Sequence, residues 1–237
     1  YITSRNATWL AAGSVLQAAS TAGNFSILEF NVVAASTSTG SSTGSSNESG
    51  STGTFVDNEG NSQEFVNVGN GTNASQWSTS NASNTTYRDG TPIPQITNAI
   101  DWDAATTGAW CYYMFDESNA SYGKLYNFFA IVGVDDLDDN TQPKIFAPEG
   151  WRVPAVEEWI SLFSNNGGYA DGAAGTDAYG IAYRFSGIGL SSKLKSTTSW
   201  SSGFNGTNIS GFNAKAYGGY ASGLTYQGTD ISFGMTD

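Results

Sequence analysis

Five oxygen-bearing side chains crowd one short stretch: Asp135, Asp136, Asp138 and Asp139, followed by Asn140. Calcium is bound by hard oxygen donors of this kind. The spacing is not that of an EF-hand and no glycine turns the run. Two readings therefore stand, a calcium loop and a solvated acidic loop, and calcium is the one cofactor that the sequence raises. Composition excludes chemistry that depends on His or on several Cys. The chain has no His, so a Ser–His–Asp set cannot be built. Cys111 is the single cysteine, too few for a zinc site or an intrachain disulfide; as a thiol it is either buried or bonded to a partner outside the chain. Glu157 and Glu158 could serve as paired carboxylates in glycoside cleavage, but they fit better in the first turn of a helix, near its positive pole. No catalytic residues are assigned and the expectation is a protein without enzymatic activity. Aromatic faces suit apolar sugar faces. Among the tryptophans, Trp77 and Trp102 lie in polar stretches and are the candidates for sugar contact, whereas Trp110, Trp151 and Trp159 are expected in the core.

A second kind of chemistry is modification. Ten Asn-X-Ser/Thr triplets occur, at Asn6, Asn24, Asn47, Asn70, Asn73, Asn81, Asn84, Asn119, Asn205 and Asn208. They read as N-glycosylation sites of a secreted, surface-exposed protein; the bland reading is that a chain rich in Asn, Ser and Thr forms such triplets freely. The net charge of −12 argues against nucleic-acid partners and against an anionic membrane surface. No run of about 18 apolar residues exists to span a membrane. The first residue is Tyr1 and no signal-peptide pattern follows, so a removed leader is expected.

These groups need a scaffold. With 39 % hydrophobic and 14 % aromatic residues in 237, a core is affordable. The clearest element is a helix over about 154–165. Pro154 suits a first helical turn, and Val156, Trp159, Ile160 and Phe163 share one face. Asn165-Asn166-Gly167-Gly168 ends it. Phe25–Ala34 reads as a strand, and Ala7–Ala19 is ambiguous between helix and strand. Residues 36–54 are almost wholly Ser, Thr and Gly, a linker or long loop with a coil reach of about 25 Å. This divides the chain into an apolar extension (1–35), a linker (36–54) and a body (55–237). In the body, Phe55–Asn61 and Glu64–Gly69 read as strand, turn, strand. Ala109–Phe115 and Leu125–Val132 are buried-strand candidates, with shorter strands near Gly180–Phe185, Ser192–Lys195 and Gly211–Ala214.

Five spaced blocks carry a resemblance: Thr86-Tyr87-Arg88-Asp89-Gly90-Thr91-Pro92-Ile93-Pro94, Thr107-Gly108-Ala109-Trp110-Cys111-Tyr112-Tyr113, Tyr122–Ala130, Ala147–Pro154 and Glu158-Trp159. In this order they resemble the Fibrobacter succinogenes major paralogous domain, from about Phe55 to the C-terminus. Lys193-Leu194-Lys195, Trp200, Ser210-Gly211-Phe212 and Gly218-Gly219-Tyr220 follow the same order. The resemblance implies a secreted or surface-attached domain. Its Trp-Arg-X-Pro block is also similar to C-type-lectin-like and formylglycine-generating-enzyme-like folds. An α+β fold is therefore expected, with small twisted antiparallel sheets, one main helix and an N-terminal β extension. The chain departs from the family in three ways. The family's last strands, with a second Cys, have no counterpart before Asp237. Ala155 replaces a helix-capping Ser, a loss of about 1 kcal/mol. Val132–Ile145 carries an insertion.

A body short of strands and a spare apolar strand suggest a use for each other. Open sheet edges recruit strands, and strand addition is a common mode of assembly. Trp9, Leu10, Val15, Leu16, Ile27, Leu28, Phe30 and Val32 are the candidate assembly residues. The partner would be another copy of the chain, in a head-to-tail polymer. The expected function is a structural subunit of an extracellular, glycosylated filament; the alternative is a monomeric cell-surface module that binds carbohydrate or mediates adhesion.

Overall fold

The computed structural model describes residues 26–28, 33–34, 49–69, 74–134, 143–170, 185–186 and 189–215. Small antiparallel sheets and a few short helices give it a mixed α+β character. The hairpin comes first in the body. β3 (Thr52–Val56) pairs with β4 (Ser62–Val68) from Thr52↔Val66 to Val56↔Ser62. Its turn closes on Asp57, whose carboxylate accepts from the backbone N–H of Glu59 (3.1 Å) and of Asn61 (2.7 Å), an Asx-type turn that polar loop residues favour.

The five-stranded sheet runs β3–β4–β5–β2–β8, with β5 at Ser75–Ser78, β2 at Val33–Ala34 and β8 at Trp151–Arg152. It separates two cores, because successive side chains on a strand point to opposite faces. Phe65 of β4 joins Trp151, Tyr126, Phe146 and the residues around them. Val66 and Val68 face the other way, onto Trp77, Trp159, Leu162 and Phe212. A second sheet has the order β1–β7–β6, with β1 at Ser26–Leu28, β7 at Leu125–Asn127 and β6 at Trp110–Cys111. A third consists of β9 (Tyr169–Ala170) and β10 (Phe185–Ser186).

Four α-helices are described: α1 (Ala99–Ala104), α2 (Phe128–Val132), α3 (Val156–Asn165) and α4 (Leu190–Leu194). α3 is the helix expected at about 154–165. Ala155, its N-cap, makes no side-chain bond. Glu158 supplies the reciprocal half of a capping box instead, accepting the Ala155 N–H at 2.8 Å, and it also pairs with Arg152. The buried stripe is Trp159 (2 % exposed) and Leu162 (0 %), so Leu162, rather than Ile160, carries the inward face. α3 packs by Trp159 on Trp77 and Phe212, at centroid distances of 4.8 and 6.0 Å.

Several elements differ from expectation. Phe25–Ala34 is not one strand: its ends form β1 and β2, which sit in different sheets. Leu125–Val132 is strand only to Asn127. There the Asn127 side chain accepts the Ala130 N–H at 3.0 Å and starts α2, and Gly133 at φ 75° ends it. In the same way Ala109–Phe115 is strand only at Trp110–Cys111, followed by a 3-10 turn. Ser192–Lys195 falls in and after α4, which opens at Gly189 with φ 69°. No helix among the described residues is long and apolar enough to cross a membrane.

Candidate functional site

The five-stranded sheet contains a seam. Among the described residues β5 and β8 do not pair with each other; β2 lies between them and pairs with both. Val33 is opposite Trp77 on one side and Arg152 on the other, and Ala34 is opposite Trp151. In the second sheet β1 covers the flank of β7, with Ser26↔Asn127, Ile27↔Tyr126 and Leu28↔Leu125. Ile27 and Leu28 are therefore placed on a sheet of their own chain. The other candidate assembly residues, Trp9, Leu10, Val15, Leu16, Phe30 and Val32, lie outside the described residues.

The walls of the seam are lined by packed aromatic side chains. Trp77 is fully buried against Trp159 and Phe212. Trp151 stacks on Phe55 at 4.0 Å and meets Phe65 at 5.7 Å. The chain entering β8 is held by Arg88, whose guanidinium donates to the carbonyls of Ala147 (2.9 Å) and Trp151 (2.8 Å) and to that of Pro148. Asn58 and Asn84 both donate to the Phe146 carbonyl, at 3.0 and 2.7 Å. Glu59 accepts the N–H groups of Thr85 (2.6 Å) and Thr86 (2.9 Å). The hairpin turn thus fastens the 84–88 segment, and that segment fastens the strand beside the seam.

Charge near this seam is compensated. Burial pushes the Asp57 carboxyl up, but hydrogen bonds from Gln63, Asn61 and the Glu59 N–H outweigh it and hold the group below its usual value. Burial pulls the Lys124 ammonium down, against the opposing pull of Glu59 and Asp57. Lys124 donates to the Ser83 carbonyl and lies 5.0 Å from the Trp110 ring centre. Burial drives the Cys111 thiol far up; it is free and 0 % exposed, a core side chain rather than a nucleophile.

The structure corrects three expectations about individual residues. Trp77 (0 % exposed) and Trp102 (1 %) present no ring face to solvent and are core side chains, not sugar contacts. Polar neighbours in sequence misled here: Trp77 faces inward on a strand, and Trp102 is the buried residue of α1. Trp110, Trp151 and Trp159 are in the core as expected. Asn84 is 2 % exposed and its amide nitrogen is engaged, so the fold does not offer it to a glycan. Asn119 is half-buried and donates to the Tyr113 carbonyl. Asn205 is exposed, with its amide oxygen accepting the Trp200 N–H, and Asn208 accepts the Asn213 N–H. Asn81 is partly buried. Asn6, Asn24, Asn47, Asn70 and Asn73 lie outside the described residues, as do Asp135, Asp136, Asp138 and Asp139. Among the described residues no three His, Cys, Asp or Glu side chains gather as a metal site. Arg88, Asn58 and Asn127 were not singled out in advance. The signal for Asn127 was present, an Asn followed by an apolar run and a glycine.

A family model described as the Fibrobacter succinogenes major domain matches residues 70–235. No curated protein and no solved structure matches the chain.

Proposed function

The chain belongs to the Fibrobacter succinogenes major domain family over residues 70–235, and from that premise we propose that it is a structural subunit of an extracellular, glycosylated filament or surface assembly that polymerises through its N-terminal segment. One observation carries the reading. β5 and β8, both within the family's span, are joined through β2, which comes from outside that span and from the far side of the Ser/Thr/Gly stretch at 36–54. Every backbone pair that β1 and β2 make within one chain can be made equally with a second copy. Closed monomer and exchanged polymer then contain the same contacts. The balance between them is set by chain entropy and by concentration against the effective concentration of the tethered segment. The contact is head-to-tail, with residues 26–34 as donor and the β5–β8 seam and β7 flank as acceptor. The lectin-like arrangement of the body, the exported location, the absence of catalysis and a structural role for any calcium at Asp135–Asp139 belong to the same proposal.

A second reading is a monomeric surface module. The pairing of β1 and β2 within their own chain favours it. With Trp77 and Trp102 buried, any glycan contact in that case would fall on other residues.

The test is a disulfide pair, Val33→Cys with Arg152→Cys. Directly opposed residues of antiparallel strands lie about 4.5–5.5 Å apart at Cα, which a disulfide can bridge, and buried Cys111 does not compete. Arg152→Ser is the control for losing the pair with Glu158. The assembly reading expects a ladder of disulfide-linked multimers under oxidising conditions and filaments by negative stain. Intrachain-linked monomers at every concentration, with no filaments by negative stain, would sink it.

A further inference from the structure

The β3–β4 hairpin leaves one side of β3 open. In an antiparallel pair, alternate residues bond to the neighbouring strand, and the residues between them turn their N–H and C=O groups the other way. The two ends of this ladder fix which residues do which. The Asp57 N–H donates to the Asn61 carbonyl at 2.9 Å, and the Asn67 N–H donates to the Ser51 carbonyl at 2.8 Å. Gly53, Phe55 and Asp57 therefore face β4, whereas Thr52, Thr54 and Val56 turn their backbone groups away from it. β3 is the last strand of its sheet, so these groups have no backbone partner among the described residues. The side chains of the same three residues are exposed, Val56 by 60 %.

Open edges are ordinarily guarded by charge, by proline or by covering chain. The opposite edge is guarded: β8 is two residues long and carries Arg152, and Arg88 occupies the Trp151 carbonyl. β3 is five residues long, and the stretch from Ser49 to Val56 holds no charged residue and no proline. In a chain of net charge −12, it is a neutral place for two copies to approach. The strand is also complementary to itself. Antiparallel pairing of two β3 strands centred on Thr54 sets Thr54 opposite its own counterpart and Thr52 opposite Val56. The outward N–H and C=O groups of all three residues then meet one another, with none left over. Side chains branched at Cβ face each other in both kinds of pair, which favours pairing. Glu64, exposed on β4 opposite Thr54, is kept from its counterpart by three strand spacings, about 14 Å. That exceeds the screening length of about 8 Å at physiological salt.

We propose that the free edge of β3 is a self-association surface, at which two copies of the chain join β3 to β3 about a two-fold axis and merge their sheets. The contact is isologous and closes at two copies. It uses neither β1 nor β2, so it stands independently of the head-to-tail reading; in a head-to-tail polymer it ties neighbouring filaments side by side.

An edge contact is smaller than a standard interface, so the test is sedimentation velocity of the full chain up to about 1 mM, together with cysteine trapping. The expected result is a concentration-dependent dimer. Thr54→Lys, which sets two like charges opposite each other, and Thr54→Pro, which removes an outward N–H that the fold itself does not use, should both abolish the dimer with little change in melting temperature. If the proline variant fails to fold, the lysine variant decides. Thr54→Cys should oxidise to a linked dimer and stop there, because opposed hydrogen-bonded residues lie about 5.5 Å apart at Cα, within disulfide reach. Its yield should exceed several-fold that of Ser202→Cys, an exposed turn position. A chain that stays monomeric over the whole range overturns the proposal, as does a dimer that survives Thr54→Lys, or equal yields from the two cysteine variants. The Thr54 variants should leave the disulfide ladder of Val33→Cys with Arg152→Cys unchanged, so this proposal and the head-to-tail reading fail separately.

Discussion

Asn127 is the side chain on which the second sheet turns into a helix, and its truncation offers a quantitative test of the packing described above. Its amide oxygen accepts two backbone N–H groups, from Ala109 and Ala130, each at 3.0 Å, and its amide nitrogen donates to the Thr107 carbonyl at 2.8 Å. Asn127, Ala109 and Ala130 are all at most 2 % exposed, so water does not replace the lost oxygen. In Asn127→Ala, loss of the α2 cap costs about 1 kcal/mol. The Ala109 N–H left buried and unpaired costs about 1–3 kcal/mol more. Thr107 is exposed, and water can replace the donor to its carbonyl. The expected loss is about 2–4 kcal/mol. Asn98→Ala is the matched control. Asn98 caps α1 by accepting the Asp101 N–H at 2.9 Å, but at an exposed site, where an N-cap is worth about 0.5–1 kcal/mol. Urea unfolding measures both, with the midpoint moving and the slope unchanged if two-state behaviour holds. Equal losses for the two variants would refute the claim that burial, not capping alone, sets the value of Asn127.

Further outcomes follow from particular sites. Gly133→Ala should destabilise by about 2–4 kcal/mol in the same assay, because it combines overpacking with a left-handed conformation: φ is +75° and an added Cβ would lie 1.8 Å from the Lys144 backbone oxygen. A near-neutral variant would contradict this close approach. Asp57 has a folded-state pKa below its unfolded value, so its contribution to stability is present above about pH 3.9 and is lost as pH falls through the folded value. Melts across that acid range should show a shallower pH slope for Asp57→Asn than for the parent chain; an identical slope would count against the turn. Cys111 should resist thiol reagents at pH 8 in the native protein and react in denaturant. Rapid labelling of the native chain would mean that the core around Trp102 and Leu125 is open.

Much of the body was legible because local rules acted alone. A strand–turn–strand unit follows from Phe55, Val56, Phe65, Val66 and Val68 on either side of Asp-Asn-Glu-Gly, but its first strand begins at Thr52, inside the Ser/Thr/Gly stretch read as a linker, because Thr52–Thr54 find backbone partners on β4. The helix ending at Asn165 follows from its aromatic face and from the Asn-Asn-Gly-Gly that closes it. Errors arose where a short apolar run could serve either period. Phe128-Phe129-Ala130-Ile131-Val132 has strand-forming residues, yet a single capping bond from Asn127 makes it a helix. Phe25–Ala34 reads as one strand, but its two ends lie in two different sheets.

The amino-acid types settled which chemistries the chain lacks residues for. Without His and with one Cys, no arrangement in space can supply a Ser–His–Asp set or an intrachain disulfide. Types and spacing also placed Trp110, Trp151 and Trp159 in a core, since large aromatics near an amphipathic helix have little alternative. Long-range contacts decided the rest. Trp77 and Trp102 look like surface residues among polar neighbours, and they are buried because Phe212, Trp159 and Phe115 arrive from elsewhere in the chain. Asn84 carries a glycosylation triplet, and it is closed because its amide reaches the carbonyl of Phe146, 62 residues away. The seam between β5 and β8 has no local signature at all. It exists because two strands, far apart in sequence, each pair with β2 and, among the described residues, not with each other, a fact of strand order that no window of sequence contains.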